Sequence, residues 1–216
     1  MGLEDYKDLV GTVAGIATVG QMFSGVFICK DIVQQGSTKN VPVIPFLGGV
    51  SMSIIMLKYA DMLQDGVMMN VNLTGLALNA AYLIVYYLYC HEKGALWSQV
   101  FKAMVAVGLV LAYAVLDNPV RAEFWLGMII TAFMFALIAS PLLSLGEVIK
   151  TKSTAMLPFP LILSGTVVTF LWLLYGIIIQ NTFIQVQNVV GLLLSSAQLM
   201  LFAIYPRRPV SIKKNS

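Results

Sequence analysis

Charge is scarce in this sequence. Asp, Glu, Lys and Arg make up 11% of its 216 residues, against 59% hydrophobic ones. A soluble globular domain draws roughly a quarter of its residues from the charged four to cover its surface. Histidine occurs once, as His91 in a connecting segment, which leaves neither a histidine metal site nor a Ser-His-Asp triad to build. Cysteine occurs twice, and Cys29 and Cys90 each close an apolar run. They read as free, buried thiols rather than a disulfide or a metal pair. A basic stripe is missing too. The net charge is +3, but the basic residues fall between apolar runs, so nucleic acid is not an expected partner. No Asp, Glu, Arg or His stands at the centre of an apolar run, which argues against an intramembrane proton or sodium relay. The start, Met1 to Asp8, holds Glu4, Asp5 and Asp8 against Lys7, the reverse of the positive segment that opens a cleaved signal peptide.

What is present is apolar length. The mean hydropathy is +0.86, and runs of about twenty apolar residues recur, enough for helices at 1.5 Å per residue to cross a hydrocarbon core of about 30 Å. Seven spans are predicted: Leu9 to Ile28, Val41 to Leu57, Val67 to Tyr89, Val100 to Leu116, Phe124 to Leu145, Met156 to Ile179, and Phe183 to Ile204. Backbone groups in lipid must be satisfied within the segment, so runs of this length mean helices, not barrel strands. The lipid bilayer is the expected solvent. Orientation follows from the basic residues. With the N-terminus outside or lumenal, the inner side carries Lys30, Lys39, Lys93, Lys102, Lys150, Lys152, Arg207, Arg208, Lys213 and Lys214, while the outer side keeps Lys7, Lys58 and Arg121.

The chain also repeats itself. Shifted by 116 without a gap, Gly11 meets Gly127, Ser37-Thr38 meets Ser153-Thr154, and Pro42 meets Pro158. The register continues through Gly49/Gly165, Tyr59/Tyr175, Asn72/Asn188, Gly75/Gly191 and Tyr89/Tyr205. Coincidences among Leu, Ile, Val and Ala mean little in a membrane protein; matched Pro, Asn, Gly and Tyr mean more. Spans one to three therefore recur as spans five to seven. Three crossings reverse the chain's side, so span four is needed to return it before a parallel second copy can begin. The expected fold is an all-α membrane protein of two parallel triple-helix bundles. Helices one to three fill residues 1–95, a linker helix fills 96–120, helices five to seven fill 121–206, and 207–216 form a cytosolic tail. Parallel repeats about an axis along the membrane normal are one of the arrangements that transporters use.

Few polar side chains lie within the spans. Asn72 and Asn188 occupy equivalent places, and an amide facing lipid would go unsatisfied, so each should face a bundle interior. Two amides on one central cavity would suit a polyhydroxylated ligand; each could instead only tie helices together. Trp172 falls at mid-depth, where its face could pack on a sugar ring or merely fill the core. Its repeat partner is Met56. Pro42 and Pro158 open spans two and six and Pro141 lies near the inner end of span five, as helix caps or as hinges. Asn72-Leu73-Thr74 matches a glycosylation sequon, at a depth that argues against its use.

Ala139-Ser140-Pro141-Leu142, Lys150-Thr151-Lys152-Ser153, Met156-Leu157-Pro158-Phe159, Trp172-Leu173-Leu174-Tyr175-Gly176 and Gln187-Asn188 follow one another in order and spacing. In these motifs the chain resembles the SWEET sugar facilitators, an animal-type member above all, over about 200 residues. The resemblance implies two triple-helix bundles rocking about a glucose-sized pocket, with Asn72, Asn188 and Trp172 on the sugar. It implies hinge prolines at Pro45, Pro141 and Pro158, and outer-gate positions at Tyr59, Tyr175 and Asn181. Gly25 stands where plant members have a first-helix hinge proline. The repeat register picks Pro42 as partner of Pro158, whereas spacing to Tyr59 picks Pro45, and the choice stays open. Met56 stands where some members have serine or tryptophan, which narrows the site and favours monosaccharides over disaccharides.

The expected function is passive, bidirectional uniport of hexoses by alternating access. No cofactor and no metal are expected, and the activity is not enzymatic. A homo-oligomer is compatible with the sequence, as are the plasma membrane and the Golgi membrane. Two rival classes are a seven-helix receptor and a membrane scaffold or trafficking protein without cargo. The gap-free repeat and short loops disfavour the receptor, and the paired asparagines partly disfavour the scaffold.

Overall fold

The computed structural model describes residues 2–155 and 157–206, without the side chains of Leu3, Ala139 and Ser140. Met156 and the predicted tail, 207–216, lie outside the described residues. The described chain is all helical. A 3-10 turn, Leu3–Tyr6, leads into α1 (Lys7–Met22), α2 (Ser24–Gln35), α3 (Ile44–Met62), α4 (Gly66–Tyr89), α5 (Lys93–Leu116), α6 (Pro119–Thr151), α7 (Phe159–Ile178) and α8 (Thr182–Ile204). Helices α1 and α2 belong to one segment, Glu4–Gln35, so the described residues form seven helical segments, and six of these are long and apolar enough to cross a membrane. The other is α3, whose last turns carry the ion pair Lys58 Nζ–Asp61 Oδ2 at 2.8 Å and so lower its hydropathy.

Helix ends follow from local chemistry. Asp65 caps α4 by accepting from the Met68 N–H at 2.9 Å, and Asn181 caps α8 by accepting from the Ile184 N–H at 3.0 Å. Each thereby satisfies a first-turn donor with no partner inside its helix. Helix α6 opens with Pro119 at its first position, where the missing N–H does no harm, and the Asn118 side chain accepts from Val120 N–H at 3.0 Å. Helix α2 stops at Gly36, whose φ of 64° is left-handed, a conformation that glycine adopts without a Cβ penalty. Helix α3 starts one residue later than α7 in the repeat register. In α7 the Leu161 N–H donates to the Pro158 carbonyl at 3.0 Å. The matching residue in α3 is Pro45, which has no N–H to give, so Val43 becomes the cap residue.

The first segment is broken at Phe23. The Val26 N–H turns to the Phe23 carbonyl at 3.0 Å, and the Tyr82 hydroxyl donates to the Met22 carbonyl at 3.2 Å. The Tyr82 ring lies so close to Gly25 that an added methyl would overlap it.

Two compact units make up the chain, Thr18–Ile130 and Met1–Ala17 with Thr131–Ser216. In the first, α3 packs on α4 and α5, and α2 on α4. A buried cluster holds it together at the expected inner end, with Phe46 against the rings of Tyr82 and Tyr86 and both cysteines, each a free thiol, among its members. In the second, α7 packs on α8, and Val148, Leu157, Ile162 and Leu201 form the buried cluster, with Phe159 edge-on to Phe202 at 5.0 Å.

Candidate functional site

Met56, Tyr59 and Asn72 lie in the first unit; Trp172, Tyr175, Asn181 and Asn188 lie in the second. Each set is held on a helical hairpin, α3–α4 or α7–α8, and the two hairpins are bonded alike. Gln64 and Gln180 both take the left-handed conformation, at φ 52° and 54°. Asp65 N–H donates to the Ala60 carbonyl at 3.0 Å, and Asn181 N–H to the Gly176 carbonyl at 3.0 Å. Tyr59 and Tyr175 are buried, at 2% and 0% exposure, beneath these turns.

Asn72 and Asn188 sit two turns further along. Each donates from Nδ2 to the carbonyl four residues back, Met68 for Asn72 and Ile184 for Asn188, both at 2.8 Å. Both side chains are half-buried, and neither Oδ1 has a hydrogen-bond partner among the described residues. An amide held by one N–H to its own helix is fixed in rotamer, yet it keeps an acceptor and a second donor for a ligand. Trp172 is half-buried on α7, and its ring meets Tyr175 edge-to-face at 5.5 Å and 89°, which fixes the indole plane. Met56 holds the matching place on α3, three residues before Tyr59, and is also half-buried.

Asn181, read from the resemblance as an outer-gate residue, is the N-cap of α8. Of the four prolines singled out, Pro141 is within a helix, interior to α6. Pro158 is the N-cap of α7, Pro45 sits in the first turn of α3, and Pro42 lies in the connection before α3.

Several polar contacts were not singled out in the sequence. Asn79 donates to the Gly75 carbonyl at 2.8 Å, and its Oδ1 lies where a side chain on Gly49 would have to go. It pairs with Ser195 in the repeat, so matching like with like passes over it. Gln187 donates to the Thr131 hydroxyl at 2.7 Å, tying α8 to α6. Gln185 donates to the Gly176 carbonyl at 3.0 Å. The matched glycines do have a readable role. A Cβ on Gly75 would touch Ser53 Oγ at 3.2 Å and one on Gly191 would touch Thr169 Cγ2 at 3.0 Å, and Ser53 and Thr169 are themselves repeat partners.

Among known proteins, the family described as "Sugar efflux transporter for intercellular exchange" matches twice, over residues 8–94 and 124–210. The chain is 35% identical over 210 residues to "Sugar transporter SWEET1" of Drosophila pseudoobscura pseudoobscura, covering 94% of this chain and 92% of that one. It is 33% identical over 215 residues to "Sugar transporter SWEET1" of Xenopus laevis, covering 95% and 96%. Its fold is similar to that of a eukaryotic SWEET transporter of known structure, at a TM-score of 0.81 and 27% identity, over 93% of this chain and 97% of the other. Multi-pass helices, two bonded-alike hairpins and this agreement along nearly the whole length lead to one family, and the chain belongs to the SWEET sugar transporters.

Proposed function

We propose that the chain is a passive, bidirectional hexose uniporter working by alternating access. One observation carries this reading: two equivalent, half-buried asparagines present the same free amide oxygen from the same helical register. In this reading Asn72 and Asn188 together hold one sugar, taking its hydroxyl protons on Oδ1, while Trp172 stacks on the ring face. Each such bond is worth only about 0.5–1.5 kcal/mol net, so a few of them give weak affinity and rapid release, as a carrier requires. No Asp, Glu, Arg or His stands at the centre of a predicted span, which supports transport driven by the sugar gradient alone. Pro141 and the prolines at the starts of α3 and α7 serve as hinges, and Tyr59, Tyr175 and Asn181 form the outer gate. The residues 1–95 and 121–206 act as the two rocking bundles, joined by the linker at 96–120. The excess of lysine and arginine at one end supports an outer or lumenal N-terminus and a cytosolic C-terminus, in the plasma membrane, the Golgi membrane or both.

Reconstituted liposomes test this directly. Asn188→Ala and Asn72→Ala should each abolish radiolabelled glucose exchange while the protein still inserts and elutes as a monodisperse species. Retained exchange in either variant removes that residue from the site. With Met56 narrowing the wall, glucose should enter faster than sucrose; the reverse order overturns the assignment of Met56 and the preference for monosaccharides.

A further inference from the structure

Thr38 and Thr154 are repeat partners that meet different fates. Thr154 is 1% exposed, and the end of the second repeat closes over it. Its N–H donates to the Pro206 carbonyl at 3.3 Å and its hydroxyl to the Tyr205 carbonyl at 3.4 Å. Thr38 is nearly as buried, at 7% exposure, yet its hydroxyl has no hydrogen-bond partner among the described residues. The reason is the linker. Where the second repeat runs on past Tyr205, the first turns aside at Cys90 to begin α5. A cavity of about 370 Å³ opens in its place, lined by Thr38, Lys39, Cys90, Glu92, Leu96 and Gln99 among others.

The walls define a ligand. Lys39 supplies a cationic donor, and the Thr38 hydroxyl and Gln99 amide supply neutral ones. Glu92 begins α5 without capping it by its own side chain, so first-turn N–H groups stay unpaired beside Ala95, another lining residue. These groups suit an anion. The Glu92 carboxylate can only accept, and so requires a ligand that also carries hydroxyl donors. The volume lies at the small end of small-molecule sites, which run from about 300 to 1,000 Å³. We propose that this cavity binds the phosphate ester of a small polyol, with phosphate towards Lys39 and Thr38 and hydroxyls towards Glu92 and Gln99. Two sources share that chemistry, a soluble sugar phosphate and the inositol-phosphate headgroup of a lipid. Placing the cavity on the cytosolic side rests on the orientation proposed above; the binding itself does not.

Cys90 lines the cavity and is 9% exposed, so its alkylation reports occupancy. Full-length protein is treated with a maleimide and the Cys90 peptide is followed by mass spectrometry. Glucose 6-phosphate is the soluble probe in detergent, and nanodiscs containing a phosphatidylinositol phosphate are the lipid probe. Glucose and inorganic phosphate are the controls. Slower alkylation with the soluble ester assigns a soluble ligand, and slower alkylation only in the discs assigns the headgroup. Thr38→Val and Lys39→Met should each weaken protection about tenfold, as loss of one hydrogen bond to a charged group implies. Asn188→Ala should leave protection intact while transport is lost, which separates this site from the transport reading. The proposal is overturned if neither probe slows alkylation, if glucose or inorganic phosphate protects as well as the ester, or if Thr38→Val and Lys39→Met both protect like the natural chain.

Discussion

The two hairpins agree at one end and part company at the other. At the expected outer end, Gln64 and Gln180 share a left-handed turn, Asp65 and Asn181 share a cap, and Tyr59 and Tyr175 share burial. At the expected inner end, Thr154 is sealed by the chain after α8, while Thr38 faces an open cavity beside α5. The shared end is set by residues within each hairpin. The divergent end is set by what the chain must do next, since only the first repeat has to lead into a linker. A duplicated sequence thus keeps its likeness where the interactions are local and loses it where connectivity differs.

The sharpest way to break the likeness is at the helix crossings. Gly49→Ala should destabilise the α3–α4 hairpin by about 1–3 kcal/mol, as overpacking does, because the new methyl falls on Asn79 Oδ1. Adding Asn79→Ser, which copies the second repeat's Ser195, should recover part of that loss in thermal unfolding. If the double variant melts no higher than Gly49→Ala alone, Asn79 is not the cause. Next come the caps. Asp65→Ala and Asn181→Ala should each lower stability by about 0.5–2 kcal/mol, and Asp65→Ala by the larger amount, because a carboxylate also complements the positive end of the helix dipole. Equal losses would mean that charge adds nothing there.

The smallest effect concerns a corner without a repeat partner. Between α5 and α6, Asp117 accepts from the Tyr113 hydroxyl at 2.6 Å and the Asn118 N–H at 2.8 Å, and pairs with Arg121 at 2.9 Å. The Tyr113 hydroxyl first of all, then the Asn118 N–H and the Arg121 guanidinium, hold its carboxyl below the usual 3.8. A carboxyl depressed in the folded state contributes stability that is present above its ordinary value and lost as pH falls through the lowered one. Protection of the Asn118 N–H, taken relative to its intrinsic exchange rate at each pH, should therefore persist at mildly acidic pH and fall only below the ordinary carboxylate range. Asp117→Asn should erase that dependence.

Much of this architecture is legible in the sequence, because lipid imposes length and hydropathy on every crossing. Six of the seven predicted spans overlap one helix each, and the predicted end of span three, Tyr89, is the last residue of α4. The first span covers α1 from Leu9 onward and part of α2. The breaks and extensions are harder to read. Helix α5 begins at Lys93, well before the apolar run at Val100, since Lys93 to Gln99 mix polar residues with Ala95, Leu96 and Trp97, and Leu96 packs into the buried cluster of the first unit. Helix α6 runs from Pro119 to Thr151, beyond the predicted Phe124 to Leu145, because the helix continues past its apolar run into polar turns at both ends. The interruption at Phe23 depends on a tyrosine some sixty residues away, which no local pattern reveals. Asn72 and Asn188 stand out through the repeat, and their shared bonding adds to that reading. Asn79 and the unpartnered Thr38 hydroxyl become visible only when neighbouring helices are in place.

The joint at Phe23 has one more implication. Neither piece of the first segment is long enough by itself to cross the hydrocarbon layer, since 16 and 12 residues reach about 24 and 18 Å. The bend therefore falls deep in the bilayer, where an exposed carbonyl would ordinarily recruit moisture. The Tyr82 phenol fills that office as a solvent molecule bolted to the scaffold. The bundle thus satisfies the carbonyl at the break from within the protein, as an oily medium requires.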